Sequence, residues 1–135
     1  MKVILDSNVL FRTLISGGDI LDIIFNNNLK MYAPLKLKEE FLNNKEEILS
    51  KSRLSEKEFE ELYSLIFERI SFIEEKEYSS HITKAKELLN EHEKDIEFVA
   101  ISLLKNIKIW TYESRLFKIE KGVSTKEISK TIASE

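Results

Sequence analysis

The sequence predicts an α/β fold, a three-layer α/β/α sandwich around a central parallel sheet of four to five strands. Short apolar runs of strand length alternate with longer segments in which apolar residues recur at helical spacing, which is typical of β–α–β units. The first run, residues 3–5, is continuously apolar, as expected for a strand covered on both faces. Only three glycines and one proline occur among 135 residues, so long periodic segments dominate over tight turns.

Four strands are predicted from apolar runs that polar residues or proline bring to an end. They span residues 2–5, 29–34, 70–74 and 108–112. The first strand ends abruptly at Asp6, which Ser7 and Asn8 follow before a second apolar run begins. A carboxylate at the end of a core strand either caps the next helix or holds a charged group, and this strand alone does not decide between the two.

Helices are predicted between these strands and after the last of them. Asp19 follows two glycines and is expected to be a helix N-cap. Ser55 with Glu58, and Ser124 with Glu127, have the spacing of a capping box and predict the starts of two further helices. The predicted helices span residues 20–28, 35–50, 56–69, 81–93 and 95–107, with a last one starting at residue 125. The fifth of these is nearly all apolar, so we expect it to be central.

Composition narrows the class of protein. The length suits a single domain, residues 1–135, and the charged and apolar fractions, 33% and 42%, are those of an ordinary globular protein. No cysteine is present, which excludes disulfides and thiolate metal sites. No apolar stretch suits a membrane span or a signal peptide, so we expect a cytoplasmic protein. The net charge of −3 gives no overall attraction to nucleic acid, and such contacts require a local basic patch.

Three acids stand at the ends of predicted elements. Asp6 and Glu113 directly follow or end two strands, and Asp95 opens the most apolar helix. Ligands of open parallel sheets sit beyond the carboxyl ends of the strands, so we expect these side chains to share one edge. Asp6 and Asp95, each taken alone, are explained equally well as helix caps.

Two segments resemble the PIN-domain family of ribonucleases, which includes the VapC-type toxins of toxin–antitoxin pairs. In "VILDSNVL" the family has an apolar strand followed by Asp-Thr-Asn, and "DIEFVAISLLKNIKIWTYES" resembles its Asp, apolar helix, strand and Thr-Asn-Asp. The resemblance implies the α/β/α fold of that family and a metal-dependent endoribonuclease with Mg²⁺ or Mn²⁺ held by acidic residues. It further implies RNA as substrate, an antitoxin protein as partner, and a homodimer.

By the same resemblance, Asp6 and Asp95 are the metal ligands. Ser7 replaces the usual threonine and keeps the hydroxyl, and Asn8 is expected to orient Asp6 or the loop backbone. The two histidines, His81 and His92, are expected to be solvated and without a role.

The remaining site residues depart from the family pattern or are ambiguous. The family's helix glutamate corresponds to Glu39 or Glu40, and Glu40, directly before an apolar residue, fits better. Glu113 stands where the family has aspartate, and Arg115 stands where a further acid often follows. An arginine here lowers the negative charge of the site, or it clamps a phosphate with two hydrogen bonds.

Two other functions compete with the nuclease. One is a PIN-like module with weak or lost catalysis that binds RNA or a protein. The other is a doubly wound domain that binds a nucleotide, although the chain has no glycine-rich phosphate loop. Four cationic side chains either line one rim of the site or are ordinary surface charges: Arg12, Arg115, Lys118 and Lys121.

Overall fold

The structure is a computed structural model that describes residues 1–90 and 93–135. Its centre is a sheet of five parallel strands in the order β3-β2-β1-β4-β5. The strands are β1 (Lys2–Leu5), β2 (Lys30–Pro34), β3 (Ile70–Ile73), β4 (Lys108–Trp110) and β5 (Gly122–Val123). The predicted α/β sandwich with a parallel sheet is therefore confirmed.

Helices flank this sheet in two layers. They are α1 (Ser7–Ser16), α2 (Asp19–Ile24), α3 (Lys36–Lys51), α4 (Glu56–Glu68), α5 (Glu75–Tyr78), α6 (Ile82–Leu89), α7 (Ile96–Lys105), α8 (Ser114–Lys118) and α9 (Thr125–Ser134), with 3-10 turns at Ser79–His81 and Glu93–Asp95. Helices α5 and α6 pack on α7, which lies against the sheet, while α1 packs on α3 and α4. Within residues 1–90 and 93–135, no helix is both long and apolar enough to cross a membrane.

Burial explains why the central strand is continuously apolar. Val3, Ile4 and Leu5 have no exposed surface, because helices cover both faces of β1 and strands cover both edges. The apolar helix α7 is central, as predicted, and packs against β1, β2 and β4. Trp110 at the end of β4 is fully buried, and its indole N–H donates a hydrogen bond to Thr125 Oγ1 at 2.9 Å. These contacts give the carboxyl ends of β1 and β4 a rigid base.

The structure corrects the end of the last predicted strand. Strand β4 stops at Trp110 instead of residue 112, because the Thr111 side chain bonds to Asp6 and the chain then turns into α8. Neither α8 nor β5 was expected from the sequence, and both are very short. A two-residue strand carries too little alternation to be distinguished from a loop.

Several predicted helix ends shift by a residue or more. Gly18 takes the N-cap position of α2, and Asp19 is its first helical residue. The Ser55–Glu58 capping box is present with both hydrogen bonds, and Ser124 accepts one from Glu127 N–H. Helix α6 ends before Asn90, which has a φ of 54°; residues 91–92, with His92, lie outside the described residues.

The strand order creates a switch point between β1 and β4. The chain adds β2 and β3 on one side of β1 and then crosses to add β4 and β5 on the other. At such a point the connections leave in opposite directions and open a crevice beyond the carboxyl ends of the two strands. Asp6 follows β1 and Thr111 follows β4 at this crevice, and the Asp6 N–H donates to the Trp110 carbonyl at 3.1 Å.

Candidate active site

Three carboxylates occupy N-cap positions of three helices at this crevice. Asp6 precedes α1, Asp95 precedes α7 and Glu113 precedes α8, and in none of them does the side chain accept a capping hydrogen bond. The capping hydrogen bond expected for Asp6 and Asp95 as simple helix caps is therefore absent. The positive end of each helix dipole still stabilises the neighbouring negative charge, which helps three carboxylates to stand close together.

Asp6 is the most deeply held member of the group. It is 5% exposed, and its Oδ2 accepts a hydrogen bond of 2.6 Å from the Thr111 hydroxyl. Burial raises the pKa of Asp6 to about 6, the Thr111 hydrogen bond opposes this rise, and the negative charges of Asp95 and Glu113 add to it. The charges of both other acids thus repel the Asp6 carboxylate. Its ionised form is destabilised, and a nearby cation would stabilise it.

Thr111 fixes the geometry between two of the acids. Its hydroxyl donates to Asp6 and accepts a hydrogen bond of 2.9 Å from the Glu113 N–H. No role for Thr111 was predicted from the sequence. Its place at the carboxyl end of β4, two residues before Glu113, was the signal that could have found it.

Glu113 is held by three side chains. Its Oε1 accepts hydrogen bonds from Asn8 Nδ2 at 2.8 Å and from Lys94 Nζ at 3.3 Å, and Arg115 Nη1 lies 3.7 Å from its Oε2. Asn8 was expected to orient Asp6 or the loop backbone, and it contacts Glu113 instead, because its place in the first turn of α1 faces α8. Lys94 was also missed, although it directly precedes Asp95.

Asp95 is paired with an arginine. Its Oδ2 accepts a hydrogen bond of 2.6 Å from Arg115 Nε, and only 3% of the Asp95 side chain is exposed. This bond raises the pKa of Arg115 above its ordinary value. The guanidinium therefore bridges Asp95 and Glu113, and a positive charge already stands between two of the carboxylates.

The two candidate glutamates of α3 lie differently. Glu40 is half-buried beside the buried Phe41, whereas Glu39 is exposed and close enough to Tyr78 to contribute to the raised pKa of that phenol. Among the described residues, neither side-chain carboxylate makes a hydrogen bond or an ion pair, so no direct contact assigns either glutamate to the site. Helix α3 is nonetheless tied to the site, because Lys36 Nζ contacts the Lys94 carbonyl at 3.0 Å and Glu97 at 3.1 Å.

The structure also gives the burial and the contacts of four other residues considered in the sequence. The Ser7 hydroxyl is buried and is the one side-chain polar atom, among those described, that is buried without a hydrogen-bond partner. His81 is half-buried at the start of α6, where a fully solvated position was expected. Lys118 is exposed and Lys121 half-buried, and neither bonds to the acids in the described part of the chain.

Comparison with known families agrees with this geometry. A family model described as PIN domain matches residues 4–133, which is nearly the whole chain. The chain belongs to the PIN-domain family. No curated protein matches it in sequence. PIN domains are generally nucleases and typically use divalent metals. The crevice of this PIN domain is therefore the candidate location for an active site and for a metal site.

The donor set of this PIN domain suits a hard divalent ion. Asp6, Asp95 and Glu113 offer only oxygen ligands, and Mg²⁺ commonly takes one or two carboxylates while it keeps several waters. As they stand, however, the described residues contain no group of three or more acidic or histidine side chains placed to hold an ion together. The three acids carry three negative charges, and Arg115 and Lys94, which pair with Asp95 and Glu113, carry two positive ones.

Proposed function

We propose that the protein is a metal-dependent endoribonuclease that hydrolyses RNA phosphodiesters with Mg²⁺ or Mn²⁺. The observation that carries this proposal is the convergence of Asp6, Asp95 and Glu113 at three helix N-termini, where none of them acts as a cap. Asp6 and Asp95 are buried, and the negative charges of Asp95 and Glu113 help to raise the pKa of Asp6. Perturbed groups of this kind cluster at functional sites.

Each residue has a role that follows from its contacts. Asp6 and Asp95 would hold the ion, which when bound supplies positive charge at the phosphodiester and acidifies water. Thr111 holds the Asp6 carboxylate, Asn8 and Lys94 hold Glu113, and the unpartnered Ser7 hydroxyl is available to bind the ion's water or the substrate. Arg115 binds a phosphate oxygen when it leaves Asp95, because a guanidinium pairs equally well with phosphate.

A cellular role follows from the resemblance to the VapC-type toxins. We propose a toxin that acts in the cytoplasm as a single-domain homodimer and is neutralised by an antitoxin protein. The alternative is a PIN domain with weak catalysis that serves as a binding module. The Arg115–Asp95 pair is the observation that favours this alternative, because it occupies a proposed metal ligand.

Metal-dependent cleavage of RNA tests the proposed function. We expect slow hydrolysis of a single-stranded RNA in the presence of Mn²⁺, less in the presence of Mg²⁺, and none with EDTA. Mg²⁺ requires near-ideal octahedral geometry, and the Arg115 guanidinium paired with Asp95 hinders that geometry at a proposed ligand. The measurement is gel analysis of a labelled RNA with a heat-inactivated sample as control. RNA that stays intact at millimolar Mn²⁺ but is still bound would favour the binding module.

Substitution of the two α3 glutamates decides between them. We expect Glu40→Gln to reduce the rate of RNA cleavage at least tenfold and Glu39→Gln to change it less than twofold, because Glu40 is half-buried toward the body of the protein and Glu39 lies near Tyr78. Cleavage rates of the two variants, each checked for unchanged thermal unfolding, provide the comparison. The reverse ranking would assign the role to Glu39, and two small effects would remove α3 from the site.

A further inference from the structure

An exposed aromatic ring stands directly beside the acidic group. Tyr112 lies between Thr111, which bonds to Asp6, and Glu113, which bonds to Asn8, and Tyr112 itself is 39% exposed. Its neighbours in the chain are thus fixed on both sides, so the backbone that carries the ring is rigid. A large ring left accessible on such a support is preorganised for contact with a ligand.

The Arg12 guanidinium lies over this ring. Its guanidinium carbon lies 4.9 Å from the centroid of the Tyr112 ring, and Arg12 follows Asn8 by one helical turn of α1. Among the described residues, Arg12 makes no ion pair or hydrogen bond, and the Tyr112 hydroxyl makes no hydrogen bond. Apart from their contact with each other, the guanidinium and the phenol hydroxyl therefore have no polar partner among the described residues.

We propose that Tyr112 and Arg12 form a stacking platform for an unpaired base next to the scissile phosphate. This inference rests on the proposed function and names two residues that would bind the substrate beside the acids. Aromatic rings and guanidinium planes stack on bases that are already free of a duplex, whereas a base inside a helix keeps both faces covered. The guanidinium also contributes positive charge toward the adjoining phosphate.

The chain contains matched controls near the amino ends of the strands, opposite the crevice. Lys105 Nζ lies 4.8 Å from the centroid of the Tyr32 ring, near the amino ends of the strands, where α7 ends before β4. Phe25, which ends α2 just before β2, has an exposure of 37%, close to that of Tyr112. The variants Lys105→Ala and Phe25→Ala therefore remove equivalent groups far from the acids.

The test is fluorescence anisotropy of a labelled single-stranded oligoribonucleotide with the full chain in EDTA, where cleavage is excluded. We expect Tyr112→Ala to weaken binding about tenfold or more, as the loss of one stacked base predicts. Tyr112→Phe keeps the ring and should bind within twofold of wild type. Arg12→Ala should weaken binding severalfold, while Lys105→Ala and Phe25→Ala leave it unchanged and a duplex binds more weakly than the single strand.

Three results would overturn the platform: full binding by Tyr112→Ala, equal losses in Arg12→Ala and Lys105→Ala, or a preference for the duplex. A second measurement separates this failure from failure of the nuclease. If wild type cleaves RNA and Tyr112→Ala raises KM while kcat stays within a few-fold, both proposals stand. If wild type binds single strands through Tyr112 but never cleaves, the platform survives and the nuclease does not. If wild type cleaves and KM of Tyr112→Ala is unchanged, only the platform is wrong.

Discussion

The variant Asp6→Asn is expected to lose RNA cleavage by at least two orders of magnitude and, without metal, to unfold at a higher temperature than wild type. Burial, opposed by the Thr111 hydrogen bond and reinforced by Asp95 and Glu113, raises the pKa of Asp6 to about 6. The ionised form therefore destabilises the folded state at neutral pH. Removing that charge should add about 1–3 kcal/mol to the free energy of unfolding, while the amide oxygen can still accept from Thr111.

The pH dependence has a definite sign. Because the pKa of Asp6 in the folded state lies above its ordinary value of 3.8, the folded state binds more protons than the unfolded state between about pH 4 and pH 6. The contribution of this group to stability is thus present at low pH and is lost as pH rises through 6. Urea unfolding in EDTA across pH 4.5–8 should give a difference between wild type and Asp6→Asn that grows toward neutral pH and then levels off.

Controls distinguish a metal ligand from a helix cap. Asp19→Asn changes an exposed acid in the first turn of α2 and should alter neither cleavage nor the response to metal. Wild type should gain melting temperature on addition of Mn²⁺, and Asp6→Asn should gain little. A cap would instead lose stability on substitution, and equal gains in Mn²⁺ by both proteins would remove Asp6 from the metal site.

Removal of the Arg115 guanidinium is expected to increase Mn²⁺ affinity tenfold or more and to lower stability in EDTA. Arg115 pairs with Asp95 at 2.6 Å, and the Asp95 carboxylate is buried. Without the arginine, this carboxylate is left without its counterion, which costs about 1–3 kcal/mol for a partly exposed pair. In the variant, a divalent ion can bind Asp95 without first having to displace the guanidinium.

Calorimetric titration of Mn²⁺ into wild type, Arg115→Gln and Lys94→Ala measures this competition. Lys94→Ala is the matched control, since it removes a positive charge that contacts Glu113 and leaves the Asp95 pair intact. Unchanged or weaker Mn²⁺ binding by Arg115→Gln would show that the arginine does not compete with the ion. Tighter metal binding combined with loss of cleavage would identify Arg115 as a phosphate-binding residue of the reaction.

The fold was predictable where burial imposes a strong pattern. Two segments are continuously or nearly continuously apolar, residues 3–5 and α7. Such a pattern predicts a place in the core, and neighbouring strands and helices enclose both segments. Short elements were not predictable, because β5 has two residues and α8 has five. Both exist through tertiary contacts, such as the packing of Phe117 against Gly122, which no local pattern reports.

The site was predictable in its acids and less so in their partners. Asp6, Asp95 and Glu113 were identified from element ends, and the structure brings them within electrostatic reach of one another. Their hydrogen bonds depend on the relative rotation of α1 and α8, which sequence spacing does not contain. For this reason Asn8 was assigned to Asp6 instead of Glu113, and Thr111 and Lys94 were overlooked.

The order in which the strands join the sheet has a consequence for synthesis on the ribosome. Strands β1, β2 and β3 follow one another in the chain, so they can pair as soon as residues 1–73 have emerged. The bonds that assemble the acids, Thr111 to Asp6 and Asn8 to Glu113, each span 105 residues. A nascent chain therefore carries Asp6 through most of translation without its partners. The candidate site is assembled only when the last quarter of the polypeptide docks. If the proposed function is correct, an incomplete chain is therefore unable to cleave the messenger that encodes it.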